Sequence, residues 1–313
     1  MADSLSSLLP SIVQVTADAA IACLDHVGRM DEKQADQAAV NSMRHSLNQL
    51  PISGKIVIGE GERDQAPMLY IGEEVGTGGI ALDIALDPLE GTTLCAHAAS
   101  NALSVIALGP KGTLLHAPDI YMDKIAVGCK VEGLDLGQGY IPNLEIIAQA
   151  LGKLPHELSV MILNRPRHQD LIQQVKKFGS KICLITDGDI QAAINTALPE
   201  TRVDVYIGSG GAPEGVLAAA ALKCIGGTFI GKLKFEDELQ IKRAIEMGLV
   251  HYHKQLEILD MVKGDVIFSA TGVTDGSLVK GAQQYSNKVI TETLVFDSKV
   301  HSMSRIVNHK FIL

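Results

Sequence analysis

Apolar residues recur at helical spacing near the start of the chain and predict two helices. The predicted helices cover residues 10–28 and 33–50. The inner face of the second helix carries Val40, Met43 and Leu47, and Asp36 falls on the same face. Because burying an unpaired carboxylate is costly, Asp36 needs a partner, which is either a metal ion or an Arg or Lys side chain.

Short apolar runs that end in polar or glycine-rich loops predict strands along the rest of the chain. These runs cover residues 55–58, 80–86, 103–108, 124–127, 158–163, 182–185, 203–207 and 266–268. Helical stretches between several of them indicate an α/β protein, in which ligands collect at strand ends. The segment Leu154-Pro155-His156 suggests a boundary near residue 155, which predicts domains at 1–155 and 156–313.

The most informative stretch follows the run 80–86 and reads Asp87-Pro88-Leu89-Glu90-Gly91-Thr92-Thr93. Carboxylate oxygens such as those of Asp87 and Glu90 suit hard divalent cations, for example Mg²⁺ or Mn²⁺. Free backbone N–H groups at the start of a following helix suit a phosphate. Metal and phosphate in one turn indicate a phosphoester hydrolase.

Further acids fall at or near predicted strand ends, at Glu60, Asp64 and Glu214. Taken singly, each acid is more simply interpreted as a solvated residue that caps a strand end. With Asp36, Asp87 and Glu90 they are sufficient for a site of two or three metals, which can clamp the attacking and leaving oxygens of a phosphoryl displacement. Thr92 can orient the attacking water while Glu60 or Asp64 accepts its proton, a contribution of roughly 10²–10⁴-fold. An N-cap hydroxyl is the plainer interpretation of Thr92 and is compatible with this role.

Three loops in the second half offer anion or sugar contacts. Residues 209–215 resemble an anion cradle that leads into a helix, with Pro213 suited to its first position. Arg165 and Arg167 can fork onto a second phosphate, although lone loop arginines are more often surface residues. The turn 187–189 can accept sugar hydroxyls or can be only a tight turn.

Composition excludes several classes of function. A net charge of −9 over 313 residues argues against nucleic acid as a partner, although bound metals can still attract an anionic substrate. Five cysteines without a C-x-x-C pair argue against disulfides and zinc and favour buried, reduced thiols. The first ten residues lack the features of a signal peptide, and no apolar run approaches the ~20 residues that span a bilayer. We therefore expect a soluble, cytoplasmic protein with no membrane partner.

The stretch 87–92 resembles the D-P-[ILM]-[DE]-G-T signature of the lithium-sensitive, metal-dependent sugar and inositol phosphatases. Other stretches are similar to the class II fructose-1,6-bisphosphatases in particular. They are residues 58–73, 117–122, 165–168, 187–189 and 210–215. The matches follow the order of that family from about residue 28 to residue 300.

This resemblance implies a layered α-β-α-β-α sandwich of two α/β subdomains, the first binding metal and the second binding sugar phosphate. It implies hydrolysis of the 1-phosphate of fructose 1,6-bisphosphate in gluconeogenesis, and a homo-oligomer, either a dimer or a tetramer. The implied ligands of Mn²⁺ or Mg²⁺ are Asp36, Glu60, Asp87, Glu90 and Glu214. The implied substrate contacts are Glu90, Gly91, Thr92, Tyr121, Arg165, Pro166, Arg167, Asp187, Gly188, Asp189 and Gly211.

Three alternatives remain from the sequence. The motifs do not separate this activity from a bifunctional fructose-1,6-/sedoheptulose-1,7-bisphosphatase, or from a monophosphatase of the same superfamily. A catalytically weak, sugar-phosphate-binding regulator is the alternative of another class. It is motivated by Glu32, which stands where the family usually has lysine, and by the short segment from Ile230 to Met247.

Overall fold

The computed structural model describes residues 4–61, 68–249 and 251–312. Its helices are α1 Leu9–Ala22, α2 Glu32–Leu47, α3 Thr92–Ala96, α4 Tyr140–Ala150, α5 Gln169–Phe178, α6 Asp189–Asn195, α7 Ala212–Ile225, α8 Glu238–Glu246 and α9 Ile258–Met261. Its strands are β1 Ile52–Ile58, β2 Glu74–Val75, β3 Ile80–Glu90, β4 Leu103–Pro110, β5 Tyr121–Val127, β6 Ser159–Leu163, β7 Lys181–Ile185, β8 Val205–Gly211, β9 Thr228–Lys234, β10 Leu256–Glu257, β11 Ile267–Gly272, β12 Gln283–Gln284, β13 Lys288–Asp297 and β14 Ser302–Phe311.

The chain divides into two compact units with one sheet each. Unit 1 contains Met1–Leu115 and Gly264–Leu313, and unit 2 contains His116–Lys263. The division differs from the single predicted boundary near residue 155, which falls inside unit 2 between α4 and β6. The reason is that the chain returns to the first sheet after residue 263, a long-range pairing that no local composition signals. The predicted mixed α/β class with two subdomains is confirmed.

Within the described residues, unit 1 has an eight-stranded sheet in the order β12-β13-β11-β4-β3-β1-β2, with β14 paired to β13. β1 and β3 are parallel neighbours, so their carboxyl ends lie at the same edge. The apolar faces of α1 and α2 join the core of this unit, where Ile12, Met43 and Leu47 are fully buried. The predicted inner face of the second helix is therefore confirmed.

The first helical stretch, Leu5–His26, is 22 residues long and apolar enough to cross a membrane by length and composition. This corrects the expectation that no apolar run approaches that length. The stretch instead packs as a core helix of unit 1, where the buried hydroxyl of Thr16 lies 2.9 Å from that of Ser269 and 2.7 Å from that of Thr271 on β11. This buried network of three hydroxyl groups stabilises the packing of the helix against the sheet.

Within the described residues, unit 2 has a six-stranded sheet in the order β10-β9-β5-β8-β6-β7. β7, β6 and β8 run parallel, so the loops after them share one edge. β5 is antiparallel to β8 and begins at that edge, where Tyr121 pairs with Gly211. The topology therefore places the predicted loop motifs of the second half at one edge of one sheet, as expected for an α/β sheet.

Three of the five cysteines fit the expectation of buried thiols, namely Cys23, Cys95 and Cys224. Cys129 is exposed and Cys183 is half-buried, which corrects the prediction for these two. All five are free thiols, in agreement with the predicted absence of a disulfide framework.

Candidate active site

The acids of unit 1 lie along the edge where β1 and β3 end. β3 continues past Leu86 through Asp87 and Glu90, whereas the sequence predicted a strand that ends at Leu86. A bulge separates the two acids, because Asp87 pairs with Val105 and Glu90 pairs with Leu103. The bulge has a local cause: Pro88 has no N–H for the ladder, and the next N–H, of Leu89, donates to Asp87 Oδ1 at 3.0 Å. Glu90 is only 6% exposed.

Glu60 shows how strongly these acids act on one another. Burial raises the pKa of its carboxyl to about 9, and the charges of Asp87 and Asp36 add to the shift. Burial also raises the pKa of Asp36. Asp36 forms no ion pair with an Arg or Lys among the described residues, so the plainer partner suggested by the sequence is not observed there. The three carboxyls therefore form a cluster in which burial and like-charge repulsion favour the protonated form of Glu60 at neutral pH.

The chemistry of this cluster suits a hard divalent cation, because its donors are all carboxylate oxygens and a bound cation would reduce their mutual repulsion. No three His, Cys, Asp or Glu side chains in the described part of the chain converge closely enough to form a metal site by themselves. Asp64, a predicted proton acceptor, lies outside the described residues. The predicted ligand set thus stays a prediction that the charge pattern supports.

Gly91 and Thr92 form the turn from β3 into α3. Gly91 is the N-cap of α3 and adopts a left-handed conformation with φ of 80°, which favours glycine. Thr92 is the first residue of the helix, so the N-cap interpretation of its hydroxyl is wrong. Its side chain is half-buried and makes no hydrogen bond to the described residues. The hydroxyl is therefore available to a water or a substrate oxygen.

At the edge of unit 2, the guanidinium of Arg167 lies 4.8 Å from the centre of the Tyr121 ring, which is 44% exposed. Arg167 Nε also donates to the carbonyl of Ser209 at 2.9 Å. Arg165 Nη2 lies 3.5 Å from Asp187 Oδ1, and both side chains are half-buried. Each guanidinium has five N–H donors, so these contacts orient the arginines and leave donors for an anion.

Two short connectors complete this edge. Pro166 begins a single turn of 3₁₀ helix, Pro166–His168, after a two-residue connection from the end of β6. Gly188 precedes α6 in a left-handed conformation with φ of 98°. Both fix the direction in which their neighbours leave the sheet.

His168 is a residue whose role the sequence did not reveal. Its ring is buried, and Nδ1 lies 2.8 Å from the carbonyl of Leu163 while Nε2 accepts from the N–H of Ser209 at 2.8 Å. Burial lowers the pKa of His168, which keeps the ring neutral at pH 7 and lets Nε2 act as an acceptor. The histidine therefore holds β8 against β6. Only its place inside the motif 165–168 pointed to it.

Asp189 and Lys124 form a buried ion pair, with Lys124 Nζ 2.5 Å from Asp189 Oδ2. Lys124 is 1% exposed and Asp189 is 8% exposed. The carboxylate of Asp189 already has a protein partner, which leaves Asp187 as the more accessible acid of the turn. The sequence missed Lys124, because it opens an apolar run and no periodic signal marks a buried lysine.

Two N–H groups of the predicted anion cradle are already used within the protein. The N–H of Ala212 donates to the carbonyl of Ile120 at 2.8 Å, and that of Ser209 is taken by His168. α7 begins at Ala212, so Pro213 occupies its second position instead of its first. Glu214 lies in the first turn, and its Oε2 is buried without a hydrogen-bond partner among the described residues.

Burial raises the pKa of the Glu214 carboxyl, and the positive charge of Lys124 opposes the shift. A buried carboxylate oxygen without a donor is costly unless a cation meets it. The first turn of α7 therefore fits a cation ligand better than the phosphate cradle that the sequence suggested.

Comparisons with known proteins agree with this chemistry. The family model described as bacterial fructose-1,6-bisphosphatase, glpX-encoded, matches residues 6–310. Fructose-1,6-bisphosphatase 1 class 2 of Escherichia coli (strain K12) is 45% identical over 309 residues, which cover 94% of this chain and 92% of that protein. D-fructose 1,6-bisphosphatase class 2/sedoheptulose 1,7-bisphosphatase of Synechococcus sp. (strain JA-3-3Ab) is 42% identical over 316 residues, which cover 92% of this chain and 91% of that protein.

Among solved structures, the extragenic suppressor protein suhB from Bartonella henselae aligns with a TM-score of 0.36 and 13% identity, over 62% of this chain and 74% of that chain. This likeness is too limited to support an argument. The family match, in contrast, extends over almost the whole chain and implies a phosphatase that depends on a divalent metal. The chain therefore belongs to the family of bacterial class 2 fructose-1,6-bisphosphatases.

Proposed function

We propose that this chain hydrolyses the 1-phosphate of fructose 1,6-bisphosphate to fructose 6-phosphate and phosphate, the reaction of gluconeogenesis. The observation that carries the proposal is the 45% identity, over 94% of the chain, to a protein named fructose-1,6-bisphosphatase 1 class 2. The acidic cluster of unit 1 and the arginine-bearing edge of unit 2 supply the residue types that a phosphoester hydrolase needs.

Mg²⁺ or Mn²⁺ is the proposed cofactor. In unit 1 the ligands would be Asp36, Glu60, Asp87 and Glu90, and in unit 2 Glu214 would be a ligand. When bound, the ion supplies positive charge for phosphate oxygens and a water with a lowered pKa. The raised pKa of Glu60 and the unpartnered oxygen of Glu214 support this assignment, since a cation would offset the burial and repulsion at Glu60 and would meet a Glu214 oxygen that has no hydrogen-bond partner among the described residues.

Thr92 is proposed to orient the attacking water through its unengaged hydroxyl. Glu60 is proposed to take the proton. With a pKa of about 9, Glu60 is itself protonated at neutral pH in the metal-free protein. It becomes a base only when a positive charge offsets its burial and the charges of Asp87 and Asp36. Asp64 remains the other proposed acceptor.

The substrate is proposed to bind through two sets of groups. In unit 1, Glu90, Gly91 and Thr92 contact the sugar phosphate at the turn into α3. In unit 2, the contacts are Tyr121, Arg165, Pro166, Arg167, Asp187, Gly188, Asp189 and Gly211. The support in unit 2 is geometric, because the ring of Tyr121 and the guanidinium groups lie at the edge where three parallel strands end.

A bifunctional fructose-1,6-/sedoheptulose-1,7-bisphosphatase is the second candidate, favoured by the name of the Synechococcus relative at 42% identity. One of the two observations that motivated the weak-regulator alternative, the charge of Glu32, no longer supports it. Glu32 is exposed in the first turn of α2, where an acid stabilises the helix, so its charge does not point into the core. The short segment folds as the end of β9 followed by α8.

A phosphate-release panel tests these proposals. Purified protein is assayed with fructose 1,6-bisphosphate, sedoheptulose 1,7-bisphosphate and sugar monophosphates, with Mg²⁺, with Mn²⁺ and with added Li⁺. Release from fructose 1,6-bisphosphate alone supports the first candidate, and comparable release from both bisphosphates supports the second. Binding without release from any substrate would leave only the regulator.

A cytoplasmic dimer or tetramer without nucleic acid or membrane partners is the remaining proposal. Light scattering after size-exclusion chromatography measures the mass of the oligomer.

A further inference from the structure

Lys124 is a buried cation at the centre of unit 2, and it is unusual because lysine is almost never fully buried unless it is paired. Its register partners are Gly208 on β8 and Gly231 on β9. Directly opposite residues of antiparallel strands share a face, so both lateral neighbours of Lys124 lack side chains. The space beside these glycines is taken up by other side chains, because a Cβ on Gly208 would meet the His168 ring and a Cβ on Gly231 would meet Met122 Sδ.

The stem of Lys124 reaches two different helices. Its Nζ bonds Asp189, the first residue of α6, at 2.5 Å. Its Cε lies 3.5 Å from the point where a Cβ on Gly215 would be, in the first turn of α7. The Lys124 side chain thus bonds the start of α6 and lies close to the first turn of α7, the two helices that follow the proposed substrate loops.

Two carboxylates lie directly over the end of β8. A Cβ on Gly210 would overlap Asp189 Oδ2, and a Cβ on Gly211 would overlap Glu214 Oε2. Only glycine leaves room for these oxygens at adjacent positions. Asp189 has Lys124 as its donor, whereas Glu214 Oε2 has no hydrogen-bond partner in the described part of the chain.

We propose that Lys124 is a positioning residue that holds Asp189 and Glu214 in place over Gly210 and Gly211. By pairing with Asp189 it fixes the turn 187–189. By lying close to the first turn of α7 it positions the helix that carries Glu214. Because Lys124 Nζ is paired with Asp189, Glu214 Oε2 keeps no hydrogen-bond partner among the described residues and is left for a cation. The inference rests on the proposed function, in which the turn contacts sugar phosphate and Glu214 binds metal.

Three variants separate this role from that of an ordinary buried ion pair. Lys124→Met removes the cation, Asp189→Asn removes its partner, and the double variant removes both charges together. Lys232→Met is the matched control, because Lys232 is the next residue after Gly231 on β9 and therefore faces the other side of the sheet. Each variant is measured for melting temperature, for Mn²⁺ binding by the electron paramagnetic resonance signal of free Mn²⁺, and for KM.

For Lys124→Met we expect the dissociation constant for Mn²⁺ and the KM for fructose 1,6-bisphosphate each to rise at least tenfold. The double variant should recover the melting temperature and keep the weakened Mn²⁺ binding. Asp189→Asn should raise KM but leave Mn²⁺ binding within twofold, and Lys232→Met should leave both constants within twofold. If Lys124→Met does not fold, Mn²⁺ binding is compared between the wild type and the charge-balanced double variant alone.

Mn²⁺ binding within twofold of the wild type in the folded double variant would overturn the proposal and reduce Lys124 to a structural ion pair. This result is distinct from failure of the proposed function. That failure would appear as a wild-type protein that releases no phosphate from fructose 1,6-bisphosphate, while the Mn²⁺ titration of each variant still reports on Lys124.

Discussion

The Glu60 carboxyl carries a proton in the metal-free protein at neutral pH, because burial and the charges of Asp87 and Asp36 raise its pKa to about 9. At pH 7, about 1% of it is ionised. A divalent cation binds the ionised form, so each cation bound at pH 7 should release about one proton from Glu60. The cost of removing that proton at pH 7 is about 2.7 kcal/mol, and it falls by about 1.4 kcal/mol per pH unit. We therefore expect the apparent affinity for Mn²⁺ to rise about 100-fold from pH 6 to pH 8.

Calorimetric titration with Mn²⁺ in two buffers of different ionisation enthalpy measures both the affinity and the proton release. Glu60→Gln should lower the release by about one proton and flatten the dependence on pH. Glu32→Gln, which removes an exposed acid from the helix that carries Asp36, should change neither. Equal Mn²⁺ affinity at pH 6 and pH 8 in the wild type would refute the reasoning, since a protonated ligand cannot give that result.

The same proton has a consequence for stability. The unfolded chain loses the Glu60 proton near 4.5, the ordinary pKa of a glutamate side chain, and the folded metal-free chain keeps it up to about 9. Between these values the folded state binds more protons, so its free energy of unfolding falls as pH rises. Metal-free protein should therefore melt at a lower temperature at pH 8 than at pH 6, and Glu60→Gln should reduce that difference.

Further substitutions test the other assignments. Thr92→Ala should lower kcat by roughly 10²-fold or more and leave the Mn²⁺ concentration for half activity unchanged, with the exposed Thr93→Ala as control; an unchanged kcat contradicts the role given to the Thr92 hydroxyl. Asp87→Asn should raise the Mn²⁺ concentration for half activity, and an unshifted titration would remove Asp87 from the ligands. Gly210→Ala should lower the melting temperature by an amount that corresponds to about 1–3 kcal/mol or more, because the added Cβ would meet the carboxylate of Asp189; a melting temperature equal to that of wild type would contradict the close approach.

Local patterns predicted the elements of this fold well, and long-range pairing limited the rest. The helical face of Val40, Met43 and Leu47 was readable because burial follows the 3.6-residue period. The start of unit 2 at residue 116 was not readable, because it depends on β11 pairing with β4 across about 160 residues of chain. β3 ran past its predicted end because Pro88 is accommodated in a bulge.

The residues of the candidate site also divide into those that a local sequence signal marks and those that depend on distant partners. Motif and spacing identified the acids of β3 and the arginines after β6, because strand ends and turn residues leave local signals. Lys124 and His168 left no such signal, since their roles depend on partners that are distant in sequence. The sequence could not show that two N–H groups of the predicted cradle over 209–215, those of Ser209 and Ala212, are already used.

The discontinuous course of unit 1 sets an order for folding during synthesis. Unit 2 is contiguous, so its sheet can close once Lys263 has left the ribosome. The pairing of β4 with β11 is delayed, because β11 is synthesised more than 150 residues later. At 5–20 residues per second this delay is roughly 10–30 s, and during it β4 presents an unpaired edge. A nascent chain stalled before Gly264 should therefore depend on chaperones for its first segment while its second segment already resists proteolysis.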